Sequence, residues 1–192
     1  MNSSTKHIAC ILASGASVRF GQANKLLSAF KGRPLITHSI ENVHAAGFDR
    51  VFCIVPERDT QLQKACIAGG AELLLNTEPQ RGQSQSLVLA AKQALKLKVS
   101  SMLIALGDMP LVSPQHFINL RSSMAEDDLV ISSDGELYYG SPVLFGTSFF
   151  QQLLDLRGDQ GAKALIRSLS NSTSVCVSSK QLLDVDTRQE LT

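Results

Sequence analysis

The chain has 192 residues, no tryptophan and 2 tyrosines, and its aromatic content is 5%. Stacking bases along a strand relies on aromatic platforms, which are scarce here. A dominant charge is also missing: 18 Lys and Arg stand against 17 Asp and Glu, a formal net charge of +1. DNA and RNA binders carry a basic stripe, and no run of Lys or Arg supplies one. We therefore expect no nucleic-acid partner. Long apolar runs are absent too. The stretch IACILA after Lys6 is six residues long. That is short of the roughly 7–15 residues of a signal-peptide core and of the ~18 a membrane-crossing helix requires. The expectation is a cytoplasmic chain with no membrane association.

Cysteine is sparse and unpaired in pattern. Cys10, Cys53, Cys66 and Cys176 form no CxxC, and three of them sit in the apolar runs IACILA, VFCIV and SVCV. They read as small core residues of a protein in a reducing compartment. No HExxH, no Walker GK[ST] and no GxGxxG occurs. His7, His38, His44 and His116 are scattered and receive no role.

What is present is an ordinary globular composition, 44% hydrophobic and 18% charged. One domain suits this length, and such a chain buries on the order of 70% of its unfolded surface. Short apolar runs at 7–13, 50–55, 71–76 and 101–106 are rich in Ile, Val and Leu without strict alternation. They read as strands covered on both faces. Helical spacing appears between them at 35–46, 60–68 and 84–97. Ser113 before Pro114 opens a further helix to about Met124, as N-cap and first helical position.

The second half is less regular. Residues 129–132, 136–139 and 142–145 read as strands around an Asp134-Gly135 hairpin signal. Residues 149–156 and 160–169 read as helices, and 174–177 and 183–186 as strands. Strands alternating with helices imply right-handed βαβ units. The expected fold is a three-layer αβα, Rossmann-like domain with a mixed, mostly parallel sheet and a small β-hairpin extension.

Three segments carry candidate chemistry. LASGASVRFGQANK, from Leu12 to Lys25, follows the first strand. Small residues at a strand's C-terminal end let backbone N–H groups approach phosphates, and open α/β sheets bind ligands at that edge. Arg19 and Lys25 add cations; the same loop also reads as a glycine-rich turn with two solvated charges. LIALGDMPLVSP delivers Asp108 to the end of another strand. A carboxylate there can hold Mg²⁺, which takes one or two carboxylates plus substrate phosphates, or can cap a turn. In LLDVDTRQEL, residues 182–191, an apolar strand ends in acid with Asp184 and Asp186 alternating, and Thr187 with Glu190 has capping-box spacing. RGQSQSL, residues 81–87, and RGDQGAKAL, residues 157–165, are weaker signals at helix starts, open to simple capping.

These segments together resemble the molybdenum cofactor nucleotidyltransferases, MobA-like NTP transferase domains within the sugar-nucleotidyltransferase-like superfamily. The branch they resemble most is the molybdenum cofactor cytidylyltransferases. That family's opening pattern, LAAGxSxRMGxxNKLL then GRPLL, appears here as LASGASVRFGQANKLL then GRPLI at Gly32–Ile36. RGQSQSL, GDMPLVSP, YGSPVLF, LRGDQGAKAL and DVDT follow in family order. The resemblance implies transfer of CMP from CTP to molybdenum-loaded molybdopterin, with Mg²⁺ as cofactor and release of pyrophosphate. It also implies an NTP-binding half at 1–112, an acceptor-binding half at 113–192, and a molybdoenzyme that receives the product.

The resemblance also implies residue roles. Arg19, Lys25 and Asp108 would be catalytic, and Asp108 and Asp186 would hold the metal. Leu12, Ala13, Ser14, Gly15, Arg19, Lys25, Gly82 and Ser86 would bind the nucleotide. Gly140, Pro142, Gly158 and Asp159 would face the acceptor. Guanylyl-transferring relatives show LAGG and DK where this chain has LASG and NK, which favours CTP. The chain departs from the family pattern at Ser14, Phe20, Ser141, Lys163 and Arg188. Three other outcomes fit the same residues: another phosphorylated acceptor such as methylerythritol phosphate or a sugar phosphate, guanylyl transfer, and nucleotide binding without chemistry.

Overall fold

A computed structural model describes residues 6–15, 24–124, 129–136, 139–158, 166 and 172–186. Its centre is β1 (His7–Leu12), flanked in parallel by β4 (Arg50–Pro56) and β6 (Ser101–Leu106). β5 (Glu72–Asn76) extends the sheet on the β4 side. β8 (Tyr139–Gly146) joins β6, β7 (Leu129–Ser133) joins β8, and β9 (Thr173–Cys176) joins β7. The resulting seven-stranded order is β5-β4-β1-β6-β8-β7-β9. Among the described strands of this sheet only β8 runs against its neighbours, and the Asp134-Gly135 signal falls between β7 and β8, where the chain reverses. A separate two-stranded antiparallel sheet is made by β2 (Ala29–Phe30) and β3 (Arg33–Pro34).

The apolar runs carry no visible alternation because both sheet faces are dry. Along β1, Ala9 and Ile11 enter one core with Leu35, Ile36, Ile40, Val43, Leu62 and Leu120. Ile8, Cys10 and Leu12 enter the other with Leu87, Ala90, Ala91, Ala94, Phe150 and Leu153. The first core is covered by α1 (Leu35–Ala45), α2 (Thr60–Ala68) and α4 (Pro114–Ser122). The second is covered by α3 (Gln83–Leu97) and α5 (Phe150–Leu154). This is the three-layer arrangement the alternation predicts. A fully buried Leu or Ile contributes about 1.5–3 kcal/mol, so period-two sorting of one apolar run fixes the strand register on both faces.

Several local expectations change. The expected strand at 142–145 is part of a longer one, Tyr139–Gly146, with a register shift opposite Ile131 and Ser132, and 137–138 lie outside the described residues. Residues 183–186 do not form a strand. β5 is an edge, and Leu75 is exposed. Cys10, Cys53 and Cys66 are buried, but Cys176 is exposed on the opposite edge strand. The 160–169 helix lies almost wholly outside the described residues, and the Thr187–Glu190 capping box entirely so.

Close approach dictates one glycine. A Cβ at Gly107 would stand 2.6 Å from Ile36 Cδ1 and 3.3 Å from the Leu12 carbonyl oxygen. Ile36 is fully buried, so it has little room to yield. Gly107→Ala is expected to lower unfolding stability by about 1–3 kcal/mol, the usual range for overpacking. Urea unfolding of the variant beside the parent measures it.

Candidate active site

β1, β4 and β6 all end at one edge of the sheet, where the chain following each strand can meet the others. The β1 exit is held by backbone: Ala13 N donates to the Ile54 carbonyl at 2.9 Å and Gly107 N to the Leu12 carbonyl at 3.0 Å. Ser14 is buried, and its hydroxyl donates to the same Ile54 carbonyl at 3.0 Å. Its own donor is thus spent inside the fold, and the side chain keeps only acceptor capacity.

The chain re-enters the site at a short 3-10 turn, Lys25–Leu27. Asn24 caps it, its Oδ1 accepting from Leu26 N at 3.0 Å. Asn24 Nδ2 donates to Asp59 Oδ2 at 2.6 Å, while Asp59 Oδ1 accepts from Leu62 N at 3.0 Å and so caps α2. Lys25 projects into the site, where its Nζ lies 2.7 Å from Asp108 Oδ2 and 2.9 Å from Asp186 Oδ1. The Lys25 side chain is only 14% exposed, against 21% for Asp108 and 48% for Asp186. Burial opposes the charge on Lys25, but hydrogen bonds and attraction from Asp108 and then Asp186 outweigh it and raise its pKa.

Asp186 reaches this position from 161 residues further along the chain. Val185 N donates to the Asp108 carbonyl at 2.9 Å, and Gln181 Oε1 accepts from Ser113 N at 2.9 Å. Val185 is buried while Asp184 is exposed. Asp108 is steadied from the other side, because Ser39 Oγ donates to the Gly107 carbonyl at 3.1 Å. Asn42 Nδ2 donates to the carbonyls of Pro110 and Val112 at 3.1 and 2.9 Å. Backbone groups, the Ser39 hydroxyl and part-buried amides, rather than the acidic side chains themselves, set where the two carboxylates stand.

A cavity of about 500 Å³ opens beside this cluster. Leu12, Ala13, Ser14, Gly15, Lys25, Gly82, Ser86 and Asp108 all line it, so the structure brings eight of the nucleotide and catalytic candidates together. α3 starts at its wall behind Gly82 (φ 82°, ψ −170°), with no side chain capping the first turn. The positive end of a 15-residue helix therefore meets the cavity. Pro79, Gln80 and Gln83 also line the wall; of these the sequence reading covered Gln83, within RGQSQSL, and missed Pro79 and Gln80. The helix-start signal at RGQSQSL pointed to this segment but began two residues late.

The acceptor candidates are less gathered. Gly140 lies opposite Ser132 in the β7–β8 ladder. Pro142 is buried, and its carbonyl accepts from Ser132 Oγ at 2.6 Å. The Gly158 carbonyl accepts from Ser84 N at 3.3 Å, so this residue sits at the start of α3. Asp186 is bonded to Lys25, which itself lines the cavity. Arg19 and Asp159 lie outside the described residues.

His116, given no role from sequence, is 2% exposed on α4. Its Nε2 lies 2.8 Å from Ser132 Oγ, whose hydrogen goes to Pro142, so Nε2–H is the donor. Its Nδ1 is buried without a partner. Burial pulls the imidazole pKa down to about 4 from 6.5. Between those values the unfolded chain binds the proton and the folded one does not, so stability falls as pH drops through that window. The full loss is about 3 kcal/mol. Urea unfolding from pH 7 to 4 should show this slope in the parent and a flatter one in His116→Gln.

The small-residue loop, the lysine and the two carboxylates thus lie at the C-terminal edge of an open, mostly parallel αβα sheet, where such sheets bind ligands. The chain belongs to the MobA-like NTP transferase domain family, whose sequence profile matches residues 9–173. It is 27% identical over 187 residues to the bifunctional protein GlmU of Rhizobium etli, covering 94% of this chain and 41% of that one. The chain thus spans about two fifths of the length of that relative. It is 26% identical over 196 residues to the purine catabolism protein PucB of Bacillus subtilis, covering 95% of this chain and 93% of the relative. In structure it superposes on Rv0371c of Mycobacterium tuberculosis H37Rv with a TM-score of 0.85 at 23% identity, covering 98% of each chain. Rv0371c has also been solved as a complex with manganese (TM-score 0.79).

Proposed function

We propose that the chain transfers CMP from CTP to molybdenum-loaded molybdopterin and releases pyrophosphate. The observation that carries this reading is a cavity in which the β1 exit loop, the start of α3, Lys25 and Asp108 face one another. Its volume suits a small ligand, since such sites span roughly 300–1,000 Å³. The CTP preference draws on Asn24. An aspartate at that position, as in guanylyl-transferring relatives, would face the Asp59 carboxylate that now accepts the Asn24 amide.

Asp108 and Asp186 fit a hard divalent cation. Both oxygens already converge within 2.9 Å of one positive nitrogen, and Mg²⁺ accepts one or two carboxylates with phosphates and water completing its shell. Among the described residues no cluster of three or more His, Cys, Asp or Glu side chains competes as a metal cage. When bound, Mg²⁺ supplies Lewis-acid polarisation of phosphate oxygens.

The chain's own part is to bind, align and neutralise. The acceptor's phosphate oxygen forms a bond to the α-phosphorus as the bond to the β-phosphate oxygen breaks, and pyrophosphate leaves. Lys25 turns from the carboxylates to the charge that accumulates on the transferred and leaving phosphates. The α3 start and the 12–15 backbone hold the nucleotide still, which supplies the proximity term. No general base is required, because a phosphate nucleophile is already ionised. Residues 1–112 serve the nucleotide and 113–192 the acceptor, and a molybdoenzyme takes the product.

Pyrophosphate release with Mg²⁺, CTP or GTP, and a panel of acceptors tests the reading. Release with CTP and molybdenum-loaded molybdopterin is expected. Release only with methylerythritol phosphate or a sugar phosphate would replace the acceptor, and release only with GTP would replace the nucleotide. CTP binding without release from any acceptor would leave a nucleotide-binding protein.

A further inference from the structure

Asp59 lies outside the cavity lining, at the head of a helix whose other work is packing. Its two carboxylate oxygens are nevertheless divided between two tasks. Oδ1 caps α2 at Leu62 N, and Oδ2 takes the amide hydrogen of Asn24 at 2.6 Å. Asn24 is divided in the same way, with Oδ1 on Leu26 N and Nδ2 on Asp59. Leu27 N and Ser28 N close the turn on the carbonyls of Asn24 and Lys25 at 3.1 Å each. Leu26, between them, is buried in the core. The backbone of Lys25 is therefore clamped on one side by a core leucine and on the other by a charge-assisted bond to a different helix. A long lysine side chain is otherwise free to sample many rotamers, so a fixed root limits where its ammonium can reach.

We propose that Asp59 is a positioning residue for the transfer, acting through Asn24 to fix the turn that aims Lys25 across the cavity. The proposal rests on the reading of Lys25 as the cation that meets the phosphates. It also accounts for the pairing of asparagine and aspartate. Either two amides or two carboxylates at these positions would lose the bond, whereas an exchanged pair would keep it.

Four variants test this. Asp59→Ser and Asn24→Ser each keep a side chain able to cap its own helix or turn but are too short to meet. Each is expected to lower kcat for pyrophosphate release about tenfold while KM for CTP stays within about twofold. This is the pattern of a lost transition-state interaction rather than lost binding. The double variant N24S/D59S should be no slower than either single one, because both remove the same link. The reciprocal exchange N24D/D59N should return to within about threefold of the parent. A readout independent of any acceptor is Mn²⁺ affinity without nucleotide. It should tighten several-fold in each single variant as Lys25 loosens from Asp108 and Asp186, with Lys25→Met setting the limit. Asp59→Ser with the parent's kcat or the parent's Mn²⁺ affinity would overturn the proposal, as would losses that multiply in the double variant. A Lys25→Met enzyme as fast as the parent would instead remove the underlying reading of Lys25.

Discussion

Asp108→Asn is expected to cut turnover by about 10²–10³-fold, the cost typical of removing one pre-aimed electrostatic group from a transfer site. Asparagine keeps the shape and can still accept a hydrogen bond, so the effect isolates the charge. Two roles fail at once: the site loses a hard anionic ligand for the divalent cation, and Lys25 loses its shorter partner at 2.7 Å. Stability should barely move. Lys25 retains Asp186 at 2.9 Å, and the backbone of this segment is tied by Ser39, Asn42 and Val185 rather than by the carboxylate. A partly exposed ion pair is worth about 1 kcal/mol at most, which for a chain of this size shifts the melting midpoint by about 2–4 °C. Steady-state pyrophosphate release beside a thermal melt gives both numbers. Turnover within tenfold of the parent would remove Asp108 from the chemistry. A midpoint lowered by ten degrees or more would show that the residue is chiefly structural.

Lys25→Met should move two measurements in opposite directions. Turnover falls by about 10²–10³-fold as the phosphates lose their cation. Mn²⁺ binding without nucleotide, read by electron paramagnetic resonance or calorimetry, tightens by about tenfold or more. The reason is that Nζ now occupies the meeting point of both carboxylates, so a divalent ion competes with a resident positive charge. Two unit charges about 4 Å apart interact by about 4 kcal/mol at the effective dielectric of a protein site. A tenfold change, about 1.4 kcal/mol, asks for only part of that. In the parent, CTP should strengthen Mn²⁺ binding by drawing Lys25 towards its phosphates. By linkage, Mn²⁺ strengthens CTP binding equally. In Lys25→Met that coupling shrinks. Unchanged or weaker Mn²⁺ binding in the variant would contradict the exchange.

The same geometry explains what the sequence makes legible. The strands at 7–13, 50–55 and 101–106 can be read because a run covered on both faces must be apolar throughout, a local and repeated constraint. Ser113-Pro114 marks the start of α4 because a cap is a property of adjacent residues: Ser113 Oγ accepts from His116 N. The loop from Leu12 to Gly15 and the carboxylate of Asp108 stand out for a related reason, since each ends an apolar run at the edge where such sheets bind ligands. Burial was harder to read at the margins. SVCV looks like a core strand, yet among the described strands β9 has a neighbour on one side only, and Cys176 is exposed.

The order of apolar runs, caps and small-residue loops along the chain determined the layered α/β fold and the end of the sheet where a ligand would bind. Those signals depend on neighbours within a turn or a strand, and so survive without coordinates. The tertiary structure alone decided that Lys25 bridges Asp108 and Asp186, that Asp59 holds Asn24, and that buried His116 bonds Ser132. Each of those contacts joins groups 16 to 161 residues apart. No local preference of either partner encodes them, and they exist only because the packed sheet and its helices bring the distant segments to one edge.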